Sequence, residues 1–128
     1  MCTYISQLFD VHYPEDLDSD RDQNSLILLK KGLFTNVAEV TSGVASVGQS
    51  KGDLFVITAD ATSTTASPTK YLLASFHGDT NGLLTIPVVT AVHEYAAVRT
   101  GSSFVVDSMV SASNLPLKLF LFILMSLF

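Results

Sequence analysis

The apolar positions of this chain fall into short runs divided by polar, glycine- or proline-containing breaks. Residues 24–30 (NSLILLK) end at Lys30-Lys31-Gly32. Their length and the glycine that follows favour a buried strand, with a helix turn as the alternative. Residues 33–47 hold two short β-like pieces with Gly43 between them, and residues 48–52 (GQSKG) read as a turn. Residues 53–59 (DLFVITA) are rich in β-branched and aromatic side chains, as strands are. Residues 60–70 are small, polar and interrupted by Pro68, so a loop is expected there. Residues 71–76 (YLLASF) form the next strand. The simplest topology joins 53–59 to 71–76 as a hairpin through that loop.

The flanks are less regular. Residues 1–9 fit a short strand or a helix turn. Residues 10–22 carry Asp10, Glu15, Asp16, Asp18, Asp20 and Asp22, half of all the acids, and read as a solvated loop. The Asp16-x-Asp18-x-Asp20 spacing suggests a calcium loop, which needs glycine at its sixth position and glutamate at its twelfth. Arg21 and Ile27 stand there, and starting at Asp18 gives Gln23 and Leu29, so the motif fails. Over residues 83–98, Thr85 can cap a helix and Pro87 can sit in its first turn. Val88, Val89, Val92, Tyr95 and Ala96 then share one face, so a helix is preferred. The competing reading is a strand after an Asn81-Gly82 hairpin turn. Residues 100–103 are a break, and Phe104-Val105-Val106 reads as one more short strand.

Residues 115–128 are almost wholly apolar from Leu119 onward. As a helix these 14 residues reach roughly 21 Å, short of the roughly 30 Å hydrocarbon core of a bilayer. A full transmembrane helix is not expected. A membrane-dipping tail, a core helix and sequence foreign to the domain are the alternatives.

With 128 residues there is room for one domain, and a 48% apolar content argues against a disordered chain. The expected division is an N-terminal segment over 1–22, the domain over 23–114 and an apolar tail over 115–128. The net charge is −5, and the seven basic residues form no stripe for nucleic acid. That weakens a pure binding module more than an enzyme, because a metal can screen substrate phosphates. Cys2 is the only cysteine, so neither an internal disulfide nor a Cys-His zinc site is expected. The N-terminus has no basic region followed by an apolar stretch. An intracellular, cytoplasmic protein is expected, with membrane association through the tail as the alternative.

The chemistry concentrates in Tyr71 to Gly82, where an apolar run stops at His77, Asp79 and Asn81 between two glycines. Imidazole moves protons near neutrality. A carboxylate orients water or binds a hard cation, and an asparagine amide donates to a phosphate oxygen without adding charge. Phosphodiester or phosphomonoester hydrolysis uses all three, so His77, Asp79 and Asn81 are the candidate catalytic residues. The plain alternative is turn chemistry, with Asp79 bonding its own backbone and Asn81-Gly82 supplying positive φ. His93 lacks the second histidine four residues away that a zinc protease needs, and reads as a helix-surface residue. His12 lies in the acidic loop. Ser75 is in no Gly-x-Ser-x-Gly elbow, and Gly43 to Gly48 lacks the Lys-Ser/Thr of a nucleotide loop.

The order Asn24 to Lys30, then Leu54-Phe55-Val56-Ile57, then Tyr71 to His77 resembles the endonuclease/exonuclease/phosphatase superfamily, over roughly residues 23–98. In that family a strand hairpin ends at a site residue, often histidine, on a loop leading to a helix. His77 matches that position. Gly78-Asp79-Thr80-Asn81 also resembles the family's Gly-Asp-x-Asn motif, and either register selects His77, Asp79 and Asn81. The resemblance implies an α+β fold that is part of a four-layer α/β sandwich with mainly antiparallel strands. It also implies magnesium as cofactor and a phosphoester substrate, either nucleic acid or a phosphorylated small molecule. The family's Asn–Glu pair should lie upstream of 24–30 and its Asp–His pair late in the chain. No convincing upstream pair is present, and no histidine follows residue 100. The expectation is therefore an internal fragment, inactive alone, with a truncated or aberrantly spliced apolar end. The alternative is a non-catalytic β-rich interaction domain whose polar turn is only a turn.

Overall fold

The structure, a computed structural model, describes residues 2–17, 19–20, 24–62, 69–78, 83–100 and 117–125. The fold is α+β. A helix α1 (Cys2–Leu8) leads into strand β1 (Phe9–His12). Then come β2 (Ile27–Lys30), β3 (Phe34–Glu39), a 3₁₀ turn (Thr41–Gly43), β4 (Leu54–Ala61), β5 (Lys70–Gly78), helix α2 (Thr85–Thr100) and β6 (Leu117–Met125). β1 and β2 make a two-stranded antiparallel ribbon, and the order in the main sheet is β3-β4-β5-β6.

The centre is the antiparallel β4–β5 pair, in register from Leu54 opposite Phe76 to Asp60 opposite Lys70. Strand alternation sends successive side chains to opposite faces. One face carries Leu54, Val56, Leu72, Ala74 and Phe76, which pack with Val88, Ala91, Val92 and Ala96 of α2. The other carries Phe55, Ile57, Ala59 and Leu73, which pack with Ile27 and Leu29 of the ribbon. Both faces are covered, so the two strands are nearly continuously apolar, as doubly buried strands must be. Each large side chain withdrawn here contributes about 1.5–3 kcal/mol. Among the described residues the layers run ribbon, sheet, helix.

Several expected elements are corrected. The segment read as an acidic loop begins as β1, where Val11 lies opposite Leu28 and His12 opposite Ile27. Phe9 and Val11 alternate with polar residues, and β2 satisfies their backbone; charge density alone concealed the strand. The second β-like piece of 33–47 is the 3₁₀ turn and a following coil. Thr41 Oγ1 accepts from Val56 N at 2.9 Å, taking the place of a strand backbone partner and ending β3. Val44 instead packs on the helix side of the sheet. The helix reading of 83–98 holds. Val88 N donates to Leu84 O, so the helix starts with Thr85 inside it rather than as its cap.

The apolar tail is also corrected. Residues 117–125 are not a core helix. They form β6, parallel to β5 from Lys70 opposite Leu117 to Gly78 opposite Met125. A uniformly apolar run has no period, so helix and buried strand read alike. The open edge of β5 decides, because its unpaired N–H and C=O groups need a partner. A parallel partner requires a crossover, and α2 lies within it. Among the described residues no helix is long and apolar enough to cross a membrane. Phe104-Val105-Val106 lies outside the described residues.

At the Lys70 end of the sheet, β3 bulges between Thr35 and Ala38. Asn36 takes φ 50°, a left-handed conformation that asparagine tolerates. Its Nδ2 donates to Asp60 Oδ2 at 2.9 Å, and Lys70 Nζ donates to Asp60 Oδ1 at 2.7 Å. Asp60 is buried. The Lys70 bond, followed by the Asn36 bond, holds its carboxyl below the usual carboxylate value of 3.8. The folded state thus binds this proton more weakly than the unfolded chain. The stabilisation is fully present above pH 3.8 and is lost as pH falls through the depressed value. Denaturant titrations across acidic pH should show the wild type losing stability below 3.8 more steeply than Asp60→Asn. Equal slopes would contradict the assignment.

Candidate functional site

His77 is the next-to-last residue of β5. Alternation with Leu73 and Ser75 sets it on the ribbon side of the sheet, where it is half-buried. Its backbone N–H donates to Asp53 O at 2.8 Å, extending the β4–β5 ladder by one rung. The same carbonyl accepts from Ser25 Oγ, and Ser25 N donates to Gly52 O at 2.8 Å. One peptide segment, Gly52-Asp53, therefore ties the lead into β2 to the end of β5. It fixes the height at which His77 leaves the sheet.

This junction is tightly built. Asp53 is 3% exposed, and its Oδ2 accepts from Ser50 N at 3.1 Å. Its own N–H donates back to Ser50 O at 3.1 Å, closing the turn before β4. Gly52 has φ 83°, the left-handed region where a side chain is disfavoured. A Cβ there would also collide with Asn24 Oδ1. Asn24, Ser25, Gly52, Asp53 and His77 thus meet at one end of the sheet. On the helix side of the same end, the Thr85 hydroxyl lies 3.4 Å from where a Cβ on Gly78 would stand. That oxygen is buried without a hydrogen-bond partner among the described residues.

Of the three candidates read from the sequence, the structure places His77; Asp79 and Asn81 lie outside the described residues. His93 is half-buried on α2, and His12 sits in β1, so neither joins His77 through a described contact. Sequence reasoning missed Asp53 as a neighbour of His77. The available signal was the one that selected His77, a polar residue at the boundary of an apolar run. Assigning Asp53 to the strand hid its place in the turn.

A cleft of about 240 Å³ opens beside Gly52, with Asp16, Glu39, Thr41 and Lys51 among its walls. Its charged groups serve the fold. Asp16 pairs with Lys51, and Glu39 Oε2 accepts from Glu15 N at 2.9 Å. Among the described residues no three His, Cys, Asp or Glu side chains are grouped to hold a metal ion. The described donors at the junction are the His77 imidazole, the Asn24 amide oxygen and the Asp53 carboxylate, whose Oδ2 accepts from Ser50 N; magnesium takes an octahedral set of oxygens. Compared with protein-family models, curated proteins and solved structures, the chain matches none.

Gly52→Ala tests the junction, with Gly32→Ala as its control. Gly32 also has positive φ, 79°, but nothing lies within 4 Å of where a Cβ on it would stand. Both substitutions incur the left-handed backbone cost of about 1–2 kcal/mol. Gly52→Ala should cost more in urea denaturation and should shift the amide resonances of Ser25 and His77. A loss no larger than that of Gly32→Ala would contradict the close approach to Asn24.

Proposed function

We propose that this chain is part of a phosphoesterase related to the endonuclease/exonuclease/phosphatase superfamily, with His77 in its substrate cleft. The observation that carries the reading is the hairpin of β4 and β5 ending at His77, followed by α2. A sheet end is where side chains escape the packed layers and can face a substrate. The ribbon, sheet and α2 would be three successive layers of a four-layer α/β sandwich, with the fourth lying outside the ribbon.

In this reading His77 donates a hydrogen bond to a phosphate oxygen or moves a proton at the leaving oxygen. The Gly52-Asp53 anchor on its backbone keeps the imidazole's origin fixed while the phosphate binds. Asp79 would orient the attacking water and Asn81 a non-bridging oxygen. Magnesium, where the family uses it, supplies charge neutralisation. Among the described residues no three His, Cys, Asp or Glu side chains are grouped to hold it. A site missing one wall leaves substrate charge uncompensated, so turnover by the chain alone is expected to be weak or absent.

The test is an amide NMR titration with a phosphodiester, with and without magnesium. Shifts should concentrate at His77, Gly78 and the residues leading into Thr85, and should be lost in His77→Ala. An unchanged spectrum from a folded chain would contradict the phosphoester reading and favour the interaction domain. A high hydrolysis rate abolished by His77→Ala would contradict the incomplete site.

A further inference from the structure

The basic residues are placed unevenly about the sheet. Lys70 begins β5, at the end opposite His77, and Lys118 lies in register with Tyr71 near that same end. Lys30 and Lys31 follow Leu29, at the end of β2 away from Ser25. Arg99 is in the last turn of α2, away from Gly78. Among the described residues, Lys51 is the basic residue at the end where His77 leaves the sheet. It precedes Gly52, whose carbonyl accepts from Ser25 N, and is two residues from Asp53, whose carbonyl accepts from His77 N. Two residues span at most ~7 Å.

The Lys51 ammonium is held by the acidic stretch that the sequence places over residues 10–22, through the carboxylate of Asp16. That stretch is docked beside it. Pro14 is buried, and Glu15 N donates to Glu39 Oε2 at 2.9 Å. Pro14 and Asp16 thus line the same cleft as Glu39, Lys51 and Gly52. The pair itself is open to water, with the Asp16 side chain 82% and the Lys51 side chain 49% exposed. An ion pair so exposed contributes little to stability, so a second anion can take the ammonium from it. A phosphate monoester is suited to do so, because it brings close to two negative charges and three acceptor oxygens. The lysine offers three rotatable donors on a flexible stem. A nucleic-acid strand is not suited, since exposed Glu15 and Asp16, with Glu39 in the cleft wall, repel a row of phosphates.

We propose that Asp16 is an internal competitor for the substrate: its carboxylate holds Lys51 in the resting chain, and the phosphate of a small phosphorylated molecule displaces it. Lys51 is then the cationic contact for the phosphate on which His77 acts. The proposal rests on the phosphoesterase reading and narrows its substrate from phosphoesters in general to small phosphomonoesters. It also gives the acidic stretch a task, that of keeping Lys51 occupied until a stronger anion arrives.

Amide NMR titration of the full chain at low salt, with glycerol 3-phosphate and with a short single-stranded DNA lacking a terminal phosphate, tests it. Glycerol 3-phosphate should shift Lys51, Gly52 and His77 with one common affinity, and the DNA should bind more weakly. Lys51→Gln should weaken glycerol 3-phosphate by about tenfold, while Lys51→Arg should retain it. Asp16→Asn should tighten it by about threefold, and that gain should vanish in the Lys51→Gln background. A gain that persists there would mean general repulsion rather than exchange and would overturn the proposal. So would the DNA binding as tightly as glycerol 3-phosphate, or shifts at Lys51 and Gly52 without His77. His77 shifts of unchanged affinity in Lys51→Gln would remove Lys51 and leave the phosphoesterase reading standing. A folded wild type that shows no shift anywhere would remove both.

Discussion

The burial of β4 and β5 on both faces is the constraint on which the rest of this molecule depends. Val56, Leu72 and Ala74 are fully enclosed on the helix side, and Phe55 and Ile57 are almost fully enclosed on the ribbon side. Neither layer covers the sheet alone. Removing α2 exposes one face, and removing the ribbon exposes the other. Every feature with chemical potential lies where this doubly buried slab stops. The Asp60 cluster closes one end of the strand pair, and the Asp53–His77 rung closes the other.

The two ends are built differently. At the Lys70 end a bulge turns Asn36 toward a buried carboxylate, and opposite charge from Lys70 completes the set. Each oxygen of Asp60 has a donor, so the cluster is a closed structural joint. At the His77 end the anchoring is through main chain, with Asp53 O serving both Ser25 and His77. This leaves the imidazole free of a backbone task while its Cα is held. Asp60 holds the sheet through its own side chain, whereas at the other end the main chain alone fixes where His77 leaves it.

Much of this arrangement was legible in the chain. The central strands announce themselves by β-branched and aromatic content, and the hairpin follows from their separation. The α2 helix follows from Pro87 and the spacing of Val88, Val92 and Ala96. What failed had a common physical origin. β1 is short and charged, so its strand character comes from pairing with β2 rather than from its own residues. β6 is so uniformly apolar that it carries no period, and its state is set by the free edge of β5. The contact of Gly52 with Asn24 joins residues far apart in sequence, and no local pattern encodes such a meeting. His77 was legible because it ends an apolar run; Asp53 borders the partner run in the same way, but reading it as part of the strand hid its place in the turn before β4.

The central claim is that the doubly buried strand pair, extended by the Asp53 rung, holds His77 as rigidly as the core itself. Native-state amide hydrogen exchange measures this directly. The account predicts that the His77 amide exchanges with the same free energy as Val56, Ile57 and Leu73, through global unfolding alone. Exchange of His77 by a separate, low-energy local opening would contradict it.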